Sequence, residues 1–352
     1  MKRKIPYEKS SGAADLRALA EVVERFEGRR VVILGDFVAD SFQSGDITRV
    51  SREAPVLILR HRETHILPGG AANATNNLAA LGARVMPITT VGDDAAGDWL
   101  VQWFREMKVD VSGILQINGT ITPTKTRFLA GWAHTVGQQV LRVDYEPHSR
   151  LSDAHRKKIQ QLLHARLKKA EALAISDYGF GVATPEVVRA AVSRQKRTIP
   201  VTLDSRYQLL TYKRAGVTAA TPNEAEMEAM RSVAIGRDIS QLERSGHEVL
   251  HELKLRSLVI TRGKDGMAVF VPGEPTAHIP VHGSDQAVDV TGAGDTVLAA
   301  YTLGLASGAT ALEAAHIANI AGGLVVMKRG TATVSRNELL DAIRKAASGV
   351  AP

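Results

Sequence analysis

Through the second half of the chain, short apolar runs alternate with helical patterns, and no other feature constrains the fold as strongly. Ala172-Leu173-Ala174-Ile175, Val201-Thr202-Leu203-Asp204, Val217 to Ala220 and Leu258-Val259-Ile260-Thr261 read as buried strands, with helical spans such as Pro185 to Ser193 between them. Repeated strand, helix, strand order requires parallel pairing, because only a crossover returns the chain to the same edge. Upstream, Leu16, Leu19, Val23 and Phe26 outline a leading helix, and Val31 to Leu34 and Val85 to Val91 two further strands. Ala95 to Met107 reads as a helix with Trp99 and Trp103 in the core, and Met267 to Phe270 as the return arm of a hairpin. The expected class is α/β with a mainly parallel central sheet.

Two regions depart from this rhythm. Residues 41–67 and 118–143 carry short alternating patterns that suit a small β-sheet laid outside the main one, a two-part lid. Lys125, Arg127 and Arg142 lie on the second segment, available to an anion. Asp36 and Asp40 follow the first strand at its carboxyl end, where open α/β sheets bind ligands, and are candidates for the floor of a pocket. Gly69-Gly70 opens a helix of very small residues in which Asn73 projects from the first turn.

The chemistry is concentrated in Val288-Asp289-Val290-Thr291-Gly292-Ala293-Gly294-Asp295-Thr296. Gly292 and Gly294 permit a tight turn, and the helix that follows leaves its first N–H groups unpaired, so Gly292, Ala293 and Gly294 form a cradle for an anion. Asp295 in that first turn would repel a bound phosphate unless it takes a proton from an attacking hydroxyl. Asn223 and Glu226, three apart at a strand-to-helix junction, offer oxygens suited to Mg2+ through water, or alternatively cap the helix. Thr261 and Gly263 stand at a strand end and would line a nucleotide groove.

Other chemistries are disfavoured. There is no Gly-x-x-x-x-Gly-Lys-Ser/Thr, and the third glycine of a dinucleotide fingerprint is missing after Gly294. With no cysteine, thiolate metal sites and cysteine nucleophiles are excluded, which fits a reducing, cytoplasmic setting. The net charge of +7 lacks the aromatic interleaving of nucleic-acid binders, and Arg156 to Lys169 reads as the wet face of an amphipathic helix. Met1-Lys2-Arg3-Lys4 is not followed by the apolar core of a secretory signal, and no membrane partner is expected.

Pro68-Gly69-Gly70 with Asn73, Thr221-Pro222-Asn223-Glu224-Ala225-Glu226, and Asp289 to Thr296 together make a set that resembles the ribokinase-like (PfkB) family of sugar kinases over nearly the whole chain. Within that family the pattern is most similar to heptose 7-phosphate kinases, echoed in Gly45 to Val56, in Ser176-Asp177-Tyr178-Gly179 and in Lys328 to Ser335. The resemblance implies a three-layer α/β/α domain over residues 1–352 with a β-sheet lid, ATP as co-substrate, Mg2+, and phosphorylation of the anomeric hydroxyl of D-glycero-β-D-manno-heptose 7-phosphate. It further implies that Asp295 is the base and that Asp40, Gly69, Gly70 and Asn73 contact the sugar. Asn319 would lie near the nucleotide, Asp289 and Thr291 in a loop for a monovalent cation such as K+, and the lid would pair two subunits into a homodimer.

Where heptose kinases carry Asp-Pro-Lys-Gly, this chain reads Asp204-Ser205-Arg206-Tyr207. Arg206 keeps a cation for the nucleotide phosphates but with a planar fork instead of a point charge, which bears on the substrate. The end of the chain at Pro352 gives the expectation of a stand-alone kinase without a nucleotidyltransferase module. The alternatives are a PfkB-type kinase of another sugar or sugar phosphate, and a catalytically silent sugar-binding sensor.

Overall fold

The computed structural model describes residues 15–131, 138–148, 151–206, 208–283 and 287–348. The basic stretch at Met1 to Lys4, Tyr207 and residues 132–137 of the second predicted lid segment lie outside them. The strands are β1 (Arg30–Gly35), β2 (Phe37–Val50), β3 (Leu57–Gly70), β4 (Arg84–Gly92), β5 (Ile114–Ile117), β6 (Thr124–Gly131) and β7 (Gln138–Tyr145), followed by β8 (Ala172–Asp177), β9 (Val201–Ser205), β10 (Ala219–Ala220), β11 (Ser257–Thr261), β12 (Met267–Phe270) and β13 (Ala277–Ile279). The helices are α1 (Leu16–Glu24), α2 (Ala71–Ala80), α3 (Ala95–Glu106), α4 (Asp153–Leu167), α5 (Pro185–Val192), α6 (Glu224–Arg231), α7 (Ile239–Leu253), α8 (Ala293–Ala306), α9 (Ala311–Val325) and α10 (Arg336–Ala347).

The larger sheet has the order β13-β12-β11-β10-β9-β8-β1-β4-β5. It is parallel from β5 to β11, and the expected hairpin adds β12 and then β13 antiparallel at one edge. Successive side chains of a strand point to opposite faces, so a strand covered on both faces must be apolar throughout. Val31, Ile33, Ala172 and Ala174 accordingly pack with α1, α2, α8, α9 and α10. Val32, Leu34, Leu173, Ile175, Val201 and Leu203 pack on the other side with α4, α5 and α7. Each fully buried branched side chain of this kind contributes about 1.5–3 kcal/mol. Helix α4 buries Ile159, Leu163 and Leu167 and turns Lys157 and Lys158 outward as expected, but Arg166 folds inward to Pro87 O at 3.0 Å and Asp110 at 3.1 Å.

Two expectations shift. Trp99 and Trp103 stack on each other, 5.1 Å between ring centroids, at the margin of the core and are only partly buried, while Leu100 and Phe104 fill the interior position. The predicted strand at Val217 to Ala220 pairs only over Ala219 and Ala220.

The second sheet has the order β3-β2-β6-β7. β2 pairs antiparallel with β3 and parallel with β6, and β6 pairs antiparallel with β7. It begins earlier and ends later than the 41–67 segment suggests, because Phe37↔Gly70 and Val38↔Gly69 already pair. Asp40 and the Gly69-Gly70 turn therefore stand on the root of the lid. Among the described residues, no helix is long and apolar enough to cross a membrane.

Candidate active site

Helix α8 starts from Gly292, whose φ of 79° is left-handed and whose missing Cβ makes room for the Asn73 amide. In its first turn the N–H groups of Gly294 and Asp295 have no protein partner among the described residues, while that of Ala293 reaches Val290 O at 3.3 Å. The cradle thus offers fewer free amides than three residues suggest, and they adjoin Asp295. That side chain is 3% exposed. Asn73 Nδ2 donates to its Oδ2 at 2.9 Å and the Tyr178 hydroxyl to its Oδ1 at 3.3 Å. Asn73 is itself oriented: its Oδ1 accepts from Asn77 Nδ2 at 3.1 Å, and Asn77 Oδ1 accepts from Thr296 Oγ1 at 3.0 Å. With that oxygen taken, the Asn73 amide must present its NH2 to the carboxylate. Burial, assisted by the nearby Asp40 charge, pushes the Asp295 pKa up to about 7 against the lowering pull of Asn73, Tyr178 and Lys125.

The floor is built from the carboxyl ends of β1 and β8. Asp36 is not a pocket ligand; its carboxylate accepts the backbone N–H groups of Tyr178 (2.9 Å), Phe180 (3.1 Å) and Val182 (3.0 Å) and so fixes the loop after β8. Burial and the Asp177 charge raise its pKa to about 7. Asp40 is buried and ion-paired to Arg127 at 2.5 Å, and a side chain at Gly69 would collide with its carboxylate.

Lid register brings the predicted cations to one face. Asp40 lies opposite Lys125 and Phe42 opposite Arg127, while Lys125 lies opposite Asp144 and Arg127 opposite Arg142. Register partners share a face and i, i+2 residues repeat it, so all six side chains look the same way. Lys125 Nζ sits 5.1 Å from the Tyr178 ring centroid, and burial, then the Arg206 charge, lower its pKa. Arg142 is the outermost, 44% exposed and paired with Asp144 at 2.9 Å.

On the other side of Asp295 two cavities adjoin. One of about 480 Å³ is lined by Asp295, Gly292 to Gly294, Tyr178, Asp204, Arg206, Asn223 and Glu226. The other, about 350 Å³, runs on over α8 and is lined by Val281, Val290, Val297, Asn319, Gly322 and Val326. Thr261, Gly263, Val290, Ala293 and Gly294 belong to both. Asn319 Nδ2 is engaged with Pro280 O at 2.8 Å, so it shapes the second cavity's wall.

Asn223 and Glu226 form a capping box on α6: Asn223 Oδ1 accepts from Glu226 N at 2.8 Å and Glu226 Oε2 from Asn223 N at 2.9 Å. The cap does not remove Glu226 from the cavity, which it lines together with Asp204. Burial and then the Glu226 charge hold the Asp204 pKa well above the carboxylate range, although Asp204 keeps some solvent exposure; burial likewise raises that of Glu226. Two hard-oxygen carboxylates crowded on one cavity fit a divalent cation such as Mg2+. Among the described residues no cluster of three metal-ligating side chains exists. Asp289 accepts the N–H groups of Thr291 and Gly330, both at 2.9 Å, tying the loop before α8 to the chain after α9.

Tyr178 and Asp204 stand in two of the quoted motifs, but the sequence reading gave neither a place in the site. The contact of Tyr178 with Asp295 spans 117 residues of chain.

A family model described as pfkB family carbohydrate kinase matches residues 30–338. The chain is a PfkB-family carbohydrate kinase. This kinase is 37% identical to the bifunctional protein HldE of Geobacter sulfurreducens over 313 residues, 89% of the chain and 62% of the relative. It is 39% identical to that of Geobacter metallireducens, over 88% of the chain and again 62% of the relative. The kinase thus spans under two thirds of these proteins. Its fold is that of Arabidopsis thaliana ribokinase complexed with ribose and ATP (TM-score 0.71, 19% identity, 90% of this chain and 99% of that one). Escherichia coli phosphofructokinase-2 in complex with potassium is similar to the same degree (TM-score 0.73, 19% identity, 91% and 99%). The kinase is therefore a phosphotransferase acting on a sugar hydroxyl, with ATP as the co-substrate its family implies.

Proposed function

We propose that this kinase transfers the γ-phosphate of ATP to the anomeric hydroxyl of D-glycero-β-D-manno-heptose 7-phosphate, with Asp295 as general base. The observation that carries the reading is the position of Asp295, buried where the lid-covered floor meets the cavity holding the free amides of α8. The sugar hydroxyl gives its proton to the carboxylate, its oxygen bonds to the γ-phosphorus, and the bond to ADP breaks. Gly294 and Asp295 amides, with Arg206, would take the charge of the transferring group. Mg2+, held by Asp204, Glu226 and water, would neutralise phosphate charge.

A phosphorylated sugar is supported by Lys125, Arg142 and Arg206, whose charges act on one another at Lys125. Cations crowded in this way gain from an anion between them. The motif resemblance and the HldE relatives favour a heptose; a PfkB kinase of another sugar phosphate is the second reading, favoured by Arg206 where a lysine is usual. The test is ADP release with Mg-ATP against heptose 7-phosphate, free heptose and other sugar phosphates, beside Asp295→Asn. Turnover with heptose 7-phosphate alone, lowered about 10²- to 10⁴-fold in the variant, is expected. Preference for free sugars would overturn the substrate, and undiminished turnover in Asp295→Asn the base.

We also expect two copies to pair through the lid's other face, where Leu141 is 54% exposed on the side opposite Arg142. Sedimentation of the wild type as a dimer and of Leu141→Glu as a monomer would bear this out; a monomeric wild type would not.

A further inference from the structure

We infer that Tyr178 is a positioning residue that joins the lid to the base, its hydroxyl orienting Asp295 while its ring seats Lys125. The inference rests on Asp295 being the base, as proposed above. Three contacts place the side chain. Its backbone N–H is held by the buried Asp36 carboxylate at 2.9 Å, so the loop cannot swing away without breaking a set of three such bonds. Its ring edge lies 3.3 Å from where a Cβ on Gly70 would stand, so the glycine lets the ring pack closely against the chain there. Its hydroxyl then donates to Asp295 Oδ1 at 3.3 Å, while Asn73 donates to Oδ2 at 2.9 Å.

One donor on each oxygen fixes the rotation of the carboxylate, and the phenol ring meets the lid. Lys125 Nζ stands 5.1 Å from the ring centroid, within cation–π range. A tyrosine serving only to pack would need the ring and not the hydroxyl. The charged groups facing the pair are Asp40 from β2, Lys125 from β6 and Asp204 from β9. Burial and the charges of Asp295, Asp204 and Asp40 hold the phenol well above its ordinary pKa, so it remains a donor wherever the enzyme works.

Donation to a carboxylate favours its ionised form, so removing the hydroxyl raises the pKa of Asp295. In Tyr178→Phe the acidic limb of the kcat profile should move up by about half to one pH unit, with the sugar KM unchanged. Tyr178→Leu, which also removes the ring, should show the same limb and raise the sugar KM roughly two- to fivefold. The measurement independent of turnover is a 13C titration of aspartate-labelled protein, with the Asp295 signal identified by its loss in Asp295→Asn. An Asp295 titration in Tyr178→Phe that coincides with the wild type overturns the inference, whatever sugar the enzyme accepts. A wild type inactive on every sugar overturns the functional reading and leaves the titration to decide on Tyr178.

Discussion

Asp295 is poised by opposed influences. Burial and Asp40 favour its protonated form, while Asn73, Tyr178 and Lys125 favour the carboxylate, and the balance falls near pH 7 instead of near 4. A base works only when deprotonated, so kcat/KM should fall about tenfold per unit as pH drops below roughly 7 and level off above it. A pH–rate profile checks this; a limb near pH 4 would mean that burial does not displace Asp295 from the ordinary carboxyl range. The same displacement makes ionisation of Asp295 a cost to the fold, so the stability its protonated form contributes is lost as pH rises through about 7. The carboxylate and its glycine turn are legible in the sequence because the amide cradle and the helix start are local. Its two donors are not, because Asn73 lies 222 residues away and Tyr178 117, joined only when the sheet closes.

Among the elements, α6 answers a question that its sequence leaves open. Asn223 and Glu226 suit both a helix cap and an ion; the structure shows the capping box, and Glu226 still lines the cavity. Substitution separates them. Gln accepts the Asn223 N–H as Glu does, so Glu226→Gln should keep thermal stability within about 0.5 kcal/mol while raising the Mg2+ needed for half-maximal activity. Asn223→Ala should instead cost about 1 kcal/mol in denaturant unfolding. An unchanged Mg2+ requirement in Glu226→Gln would restrict that residue to the cap. The lid was legible as alternating segments, but its start was not. A run such as Phe37-Val38-Ala39 reads as a continuation of β1, and only its pairing with Pro68 to Gly70 reveals the change of sheet.

At the scale of the molecule, one buried ion pair clamps the adjacent strands β2 and β6 at the root of the lid sheet. Arg127 and Asp40 are 14% and 7% exposed. Removing one partner of such a pair strands the other charge. Arg127→Met should therefore destabilise the protein by on the order of 3 kcal/mol and raise hydrogen exchange in β2 and β6 before the larger sheet opens. Thermal unfolding with site-resolved exchange measures both, and exchange rising evenly across the two sheets would deny the pair this role. Strand alternation predicted the layered core because burial on both faces leaves a compositional trace. Pairings across the lid root leave none, since Arg127 and Asp40 are ordinary surface residue types until the fold brings them together.

The run of β2 itself has a mechanical consequence. A single strand carries Asp40 at the lid root and continues to Val50 in the outer lid, which would make it a lever if it were uniform. Its pairing with β3 is regular from Phe37 to Ser44 and slips only between Ser44 and Gly45 and again between Ile47 and Arg49. Bulges are where a ribbon bends most readily. Bending of the outer arm would be absorbed beyond Ser44, so that the segment holding the buried Asp40 carboxylate keeps its register whatever the tip does.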